Sequence, residues 1–167
     1  SIGGSFKDTN LTGNGFHSDW KISPEYNLCV PGGETSKVTA FGKFLDSKDT
    51  ILLCTHSTLR FAFDKYGASK FNNCLVAVDE FHHVSANYES KLGELIRMLM
   101  DSTNAHILAM TGSYFRGDGI PVLMPDDEAK FYKVTYNYYE QLNGYTYLNS
   151  LGIGFHFYHG KYMDAIN

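Results

Sequence analysis

The run Cys74-Leu75-Val76-Ala77-Val78-Asp79-Glu80-Phe81-His82-His83 constrains this chain more than any other stretch. Five apolar residues lead directly into two carboxylates, an aromatic and two histidines. A short, wholly apolar run suits a strand buried on both faces of a parallel sheet. Charge at its end then sits at the carboxyl edge of the sheet, where open α/β sheets bind ligands. The stretch reads as a nucleotide-hydrolysis strand, and the question is whether the rest of such a site is present.

The neighbouring sequence supplies more strands and helices in alternation. Asn27–Val30 reads as a strand closed by Pro31-Gly32-Gly33. Glu34–Leu45 reads as a helix with Val38, Phe41 and Leu45 on one face. Thr50–Cys54 is a second apolar strand, followed by Thr55-His56-Ser57-Thr58 and a short helix, Leu59–Tyr66, stopped by Gly67. The clearest helix runs from about Tyr88 to Met100, with Leu92, Leu95, Ile96 and Leu99 in its apolar stripe. Asn104–Met110 is another buried strand, ending in Thr111-Gly112-Ser113. Such alternation predicts βαβ units and a mostly parallel sheet, an α/β fold.

The flanks are less regular. Residues 1–26 are rich in turn formers, with Phe16 and Trp20 expected to anchor them on the core. Phe131–Tyr136 is expected to add a strand, and Tyr147–Tyr158 a hairpin or a linker. The expected division is an irregular segment 1–26, a domain 27–147, and a linker or the start of a further domain at 148–167.

The 167 residues, 43% hydrophobic and 19% charged, describe a folded domain rather than a disordered chain. A net charge of -4 excludes a uniformly basic nucleic-acid glove, while leaving room for a local phosphate-tracking groove. Cys29, Cys54 and Cys74 have no metal-type spacing and read as buried free thiols in a reducing compartment. No signal-peptide pattern opens the chain, and no apolar run approaches the roughly 18 residues of a membrane span. A cytoplasmic location without membrane contact is the expectation. The chain opens on Ser1 rather than Met and is expected to be part of a longer protein.

Carboxylates directly after an apolar strand suit metal-assisted hydrolysis of a nucleoside triphosphate. The first, Asp79, would hold Mg²⁺ through water, and the second, Glu80, would orient or deprotonate the attacking water. Two solvated loop carboxylates are the bland alternative. A transition-metal site on Asp79, His82 and His83 is a further one, although the helix-borne HExxH spacing is absent. No GxSxG elbow supports a serine hydrolase. The hydroxyl-rich ends Thr55–Thr58 and Thr111–Ser113 either cap helices and turns or bind phosphate. A P-loop is missing. The two Gly-Lys pairs, Gly42-Lys43 and Gly160-Lys161, lack both the upstream Gly and the following Ser or Thr.

With these residues in view, the chain resembles superfamily 2 helicases and translocases. Asp79-Glu80-Phe81-His82 resembles their motif II, the DExH box. Met110–Gly119 resembles motif III and its context, with Gly112, Ser113 and Tyr114 where Ala, Thr and Pro are usual. Thr55–Thr58 sits where motif Ib lies, and Pro31-Gly32-Gly33 resembles the glycine turn before it. The nearest branch in character is the type III restriction subunit-like translocases. The resemblance covers about Asn27 to Tyr147. It implies the later part of a first RecA-like motor domain, with the Walker A segment and second RecA-like domain as partners elsewhere in the protein. It also implies ATP and Mg²⁺ as cofactors of the intact parent, none held by this chain alone, and nucleic acid, DNA rather than RNA, as the partner. Asp79, Glu80 and His82 would be catalytic, Thr111, Gly112 and Ser113 would couple, and Thr55, Gly32 and Gly33 would touch nucleic acid. A non-catalytic nucleic-acid-binding or scaffold domain of the same fold is the alternative.

Overall fold

The three longer helices form where the apolar stripes predict them, and two of them start at a hydroxyl cap. In the computed structural model, which describes residues 8–84, 90–112, 122–136 and 138–144, helix α1 spans Glu34–Leu45, the expected range. Helix α2 spans His56–Tyr66 and starts three residues earlier than its apolar pattern. The reason is Thr55, whose hydroxyl accepts a hydrogen bond from the Thr58 amide and caps the helix. Helix α3 spans Lys91–Ser102, capped by Ser90 through the Gly93 amide. It buries Leu95, Ile96 and Leu99. Tyr88, at the expected start of its stripe, lies outside the described residues. Two short helices, α4 (Pro125–Glu128) and α5 (Tyr138–Gly144), follow. No helix among the described residues is long and apolar enough to cross a membrane.

The fold is α/β, with a small parallel sheet. Strand β1, Leu75–Val78, pairs in parallel with β2, His106–Ala109, placing Leu75 opposite His106 and Val78 opposite Ala109. At the amino ends an asparagine clasp holds this register. The Asn73 amide donates to Asn104 Oδ1 (2.6 Å), and the Asn104 amide donates to Asn72 Oδ1 (3.1 Å). Asn104 Nδ2 closes the clasp on Asn73 Oδ1 at 2.9 Å.

Several expectations need correction. β1 is buried on one face only: Val76 and Val78 are buried while Leu75 is 66% exposed. A pleated strand alternates in this way when packing covers a single side. The strands expected at Asn27–Val30 and Thr50–Cys54 meet only at one parallel bridge, Asn27 to Leu53. The 3₁₀ turn Pro24–Tyr26 on one side and the turn at Leu28–Cys29 on the other leave no length for a ladder. Residues 132–136 form no strand among the described residues and are exposed, since β-propensity without a pairing edge does not make one. Phe16 is exposed rather than anchoring the amino-terminal segment, which is instead held by an antiparallel bridge between Thr9 and Trp20. Asp19 Oδ1 also ties it, accepting from the Leu11 and Thr12 amides. The expected hairpin at Tyr147–Tyr158 lies outside the described residues.

All three cysteines are free, but half-buried rather than buried. Burial, with smaller contributions from Cys29 and Glu34, pushes the Cys54 thiol up to about 12, so it stays protonated and unreactive near neutrality.

The chain divides into two units, Ser1–Lys130 and Phe131–Asn167. The first holds α1 to α4 and the sheet, and the second holds α5. Within the first unit, α1 packs on α2 and α2 on α3. Phe71 sits between Phe41 of α1 (5.8 Å between ring centres) and Phe63 of α2 (5.6 Å). Gly42 permits the α1–α2 approach: a Cβ there would clash with Oη and Cζ of Tyr66. The same Tyr66 hydroxyl donates to the Val38 carbonyl at 3.1 Å.

This contact sets a sign-reversing prediction. Gly42→Ala overpacks the contact at a cost of about 1–3 kcal/mol, offset by about 1 kcal/mol of helix propensity. With three Tyr66 side-chain atoms, two of them ring carbons, within 2.9 Å, the overpacking wins and urea unfolding should show net destabilisation. In a Tyr66→Ala background the same substitution should stabilise. Equal effects in both backgrounds would contradict the packing described.

Candidate active site

The carboxyl ends of β1 and β2 are stitched together beyond the last paired residues. The Met110 amide donates to the Val78 carbonyl (2.9 Å), and the Phe81 amide donates to the Met110 carbonyl (2.8 Å). Phe81 and Val84 are fully buried apolar anchors. Asp79 and Glu80 lie between the two stitches and stay exposed. The sequence pattern therefore works as a hinge of opposites: apolar residues fix the backbone on both sides, and the carboxylates face solvent.

Glu80 has φ 51° and ψ 46°, the left-handed region, where non-glycine residues are uncommon. The conformation costs about 1–2 kcal/mol. Just before it, the Glu80 amide donates to Asp79 Oδ1 at 2.9 Å, and Asp79 is exposed. A 3₁₀ turn, Phe81–His83, follows at once.

His82 Nδ1 lies 3.0 Å from Thr111 Oγ1, a hydrogen bond in which either group can donate, and 3.2 Å from Glu80 Oε2, an ion pair when the imidazole is protonated. Its ring packs against that of His83 at a tilt of 39°, with centres 4.2 Å apart. The structure thus joins the histidine of the first strand end to the hydroxyl of the second. Ser113 lies outside the described residues, while Gly112 follows Thr111 as an exposed bend.

Thr55 is engaged in capping α2, and its Oγ1 lies 3.1 Å from Thr58 Oγ1. Thr58 is wholly buried and donates to Glu34 Oε2 at 3.0 Å, joining the amino ends of α1 and α2. Gly33 caps α1 with an ordinary negative φ. A Cβ on Gly33 would meet nothing within 4 Å, and one on Gly32 would meet only Lys37 Cε at 3.8 Å. Neither glycine is required by the described backbone or packing.

One residue of the Thr55–Thr58 run had no role of its own in the sequence pattern. His56, the first residue of α2, places Nε2 3.0 Å from the Asp79 carbonyl. A carbonyl accepts, so Nε2 carries the proton. No spacing rule announces such a contact, because its partner is a main-chain atom 23 residues away. The alternative of a transition-metal site on Asp79, His82 and His83 finds no converging group of three ligands among the described residues. Mg²⁺ keeps most of its waters and takes few protein ligands, so the exposed Asp79 carboxylate could hold it through water.

No family model matches the chain, and no solved structure matches it. The chain is 59% identical, over all 167 of its residues, to a Bacillus subtilis (strain 168) protein named "Putative ATP-dependent helicase YeeB". It spans 28% of that relative's length.

The His56 imidazole gives a direct check on the site. Where it is neutral, ¹⁵N NMR should place its proton on Nε2. The opposite tautomer would contradict the hydrogen bond to the Asp79 carbonyl.

Proposed function

We propose that this chain is the later part of the first RecA-like motor domain of an ATP-driven helicase or translocase, of the DExH, type III restriction subunit-like kind. The observation that carries the reading is the link between His82 and Thr111 beside the exposed Asp79–Glu80 pair. A hydrolytic acidic pair and a hydroxyl-bearing loop on the next strand share one histidine. The 59% identity to a protein named as an ATP-dependent helicase supports it, and the 28% coverage agrees with a fragment of a motor.

The residues take distinct roles in this reading. Asp79 would hold the water shell of Mg²⁺. Glu80 orients the attacking water and accepts its proton. His82 holds Glu80 and Thr111 in one arrangement, so that a change at either is felt by the other. Thr55, Gly32 and Gly33, at the amino ends of α2 and α1, lie where a nucleic-acid backbone would pass, DNA in preference to RNA. Bound Mg²⁺–ATP supplies the electrophilic phosphoryl group and its charge neutralisation. The 167 residues contain no GxxxxGK[ST] cradle. Positioning of the phosphates, the larger part of phosphoryl-transfer catalysis, therefore falls to another segment of the parent protein, and the chain alone is inactive.

The test is phosphate release from Mg²⁺–ATP by the full-length protein that contains this chain. Glu80→Gln should lower kcat by about 10²–10⁴-fold, the range for loss of a general base, while nucleotide still binds. The 167-residue chain alone, with DNA present, should release none. Undiminished turnover by the Glu80→Gln protein, or turnover by the isolated chain, would overturn the reading.

A further inference from the structure

We propose that His56 is a positioning residue for the Asp79–Glu80 pair, acting through the peptide unit that joins the two carboxylates. The inference rests on the hydrolytic reading of that pair and identifies what holds it.

The backbone around the pair is held by β2 at two points: at the Val78 carbonyl and at the Phe81 amide, both bonded to Met110. The peptide unit between Asp79 and Glu80 falls between these points and takes no part in the ladder. Its two polar groups are held from elsewhere. The carbonyl oxygen of Asp79 accepts from His56 Nε2 at 3.0 Å, and the amide of Glu80 donates to Asp79 Oδ1 at 2.9 Å. A peptide unit is planar and rotates as one body. The bond from His56 therefore sets the direction of the amide that restrains the Asp79 carboxylate. It also fixes one side of the left-handed turn at Glu80, a conformation that persists only where its surroundings hold it.

The contact is exposed, so water can satisfy the same carbonyl when the imidazole is removed. Its contribution to folding is accordingly small, and its consequence is geometric. The backbone that carries the imidazole is itself held, as the first residue of a helix whose cap is Thr55 and whose first turn is tied through Thr58 to Glu34. The amino end of α2, where Thr55 is proposed to meet nucleic acid, is one residue from the group that orients the acidic pair. A misplacement of about 1 Å at a reacting centre is enough to cost about a hundredfold in rate.

The experiment compares His56→Gln and His56→Asn in the full-length protein, with His56→Ala alongside. The glutamine amide nitrogen reaches the place of Nε2, whereas that of asparagine falls short. Phosphate release from Mg²⁺–ATP is measured with a DNA oligonucleotide present, and thermal unfolding is recorded for each variant. His56→Asn and His56→Ala should lose about tenfold to a hundredfold in kcat, with KM for ATP within about twofold and an unfolding midpoint near wild type. His56→Gln should recover most of the lost kcat. Equal rates for the Gln and Asn variants, or a change confined to KM, would overturn the positioning role. A wild-type protein that releases no phosphate would instead overturn the hydrolytic reading on which it rests.

Discussion

The parallel pairing of β1 with β2 is the constraint on which the site depends. The asparagine clasp fixes its start, and the double bond pattern around Met110 fixes its finish. A strand has a side-chain period of two, so a slip of one residue would bring Asp79 and Glu80 to different positions relative to Thr111. With the register held at both ends, the chain has little freedom left where β1 stops. Phe81 must enter the core, His82 must lie beside Thr111, and the two carboxylates between Val78 and Phe81 must stay at the surface.

Much of this edge was legible in the sequence, and what was legible has a common physical origin. An unbroken apolar run followed by charge marks both a strand and its end, and the apolar stripes of α1 and α3 mark helices. These signals are local. Thr55 was readable as a cap for the same reason, since the capping hydrogen bond spans only three residues. Composition could not show which strand faces are covered, because a five-residue apolar run has no period from which to tell one buried face from two. Leu75 is apolar and exposed, and nothing in Cys74–Val78 distinguishes it from Val76. Residues 131–136 carry strand-forming side chains, but a strand exists only when an edge is offered. His56 was invisible as a member of the site because it binds a main-chain carbonyl, which every sequence contains at every position.

The chemistry of the edge is divided in a way that agrees with a fragment of a larger machine. It presents two carboxylates, a histidine that links them to the neighbouring strand end, and the amino ends of two helices joined by a buried hydroxyl. It presents no glycine-rich loop with a lysine to cradle phosphates. A pair of carboxylates repels an anionic nucleotide unless a cation and phosphate-binding groups compensate the charge. In the proposed motor the arrangement gains catalytic sense once a phosphate cradle and Mg²⁺ face it.

The position of the metal decides this most directly. In the full-length protein with bound ATP, Fe²⁺ can replace Mg²⁺, and ascorbate with peroxide then cleaves the backbone beside the ion. Cleavage within residues 79–83 that excess Mg²⁺ suppresses is the result expected if Asp79 holds the metal. Cleavage that maps elsewhere in the protein, with residues 79–83 intact, would contradict the assignment of this strand end as the hydrolytic half of an ATP site.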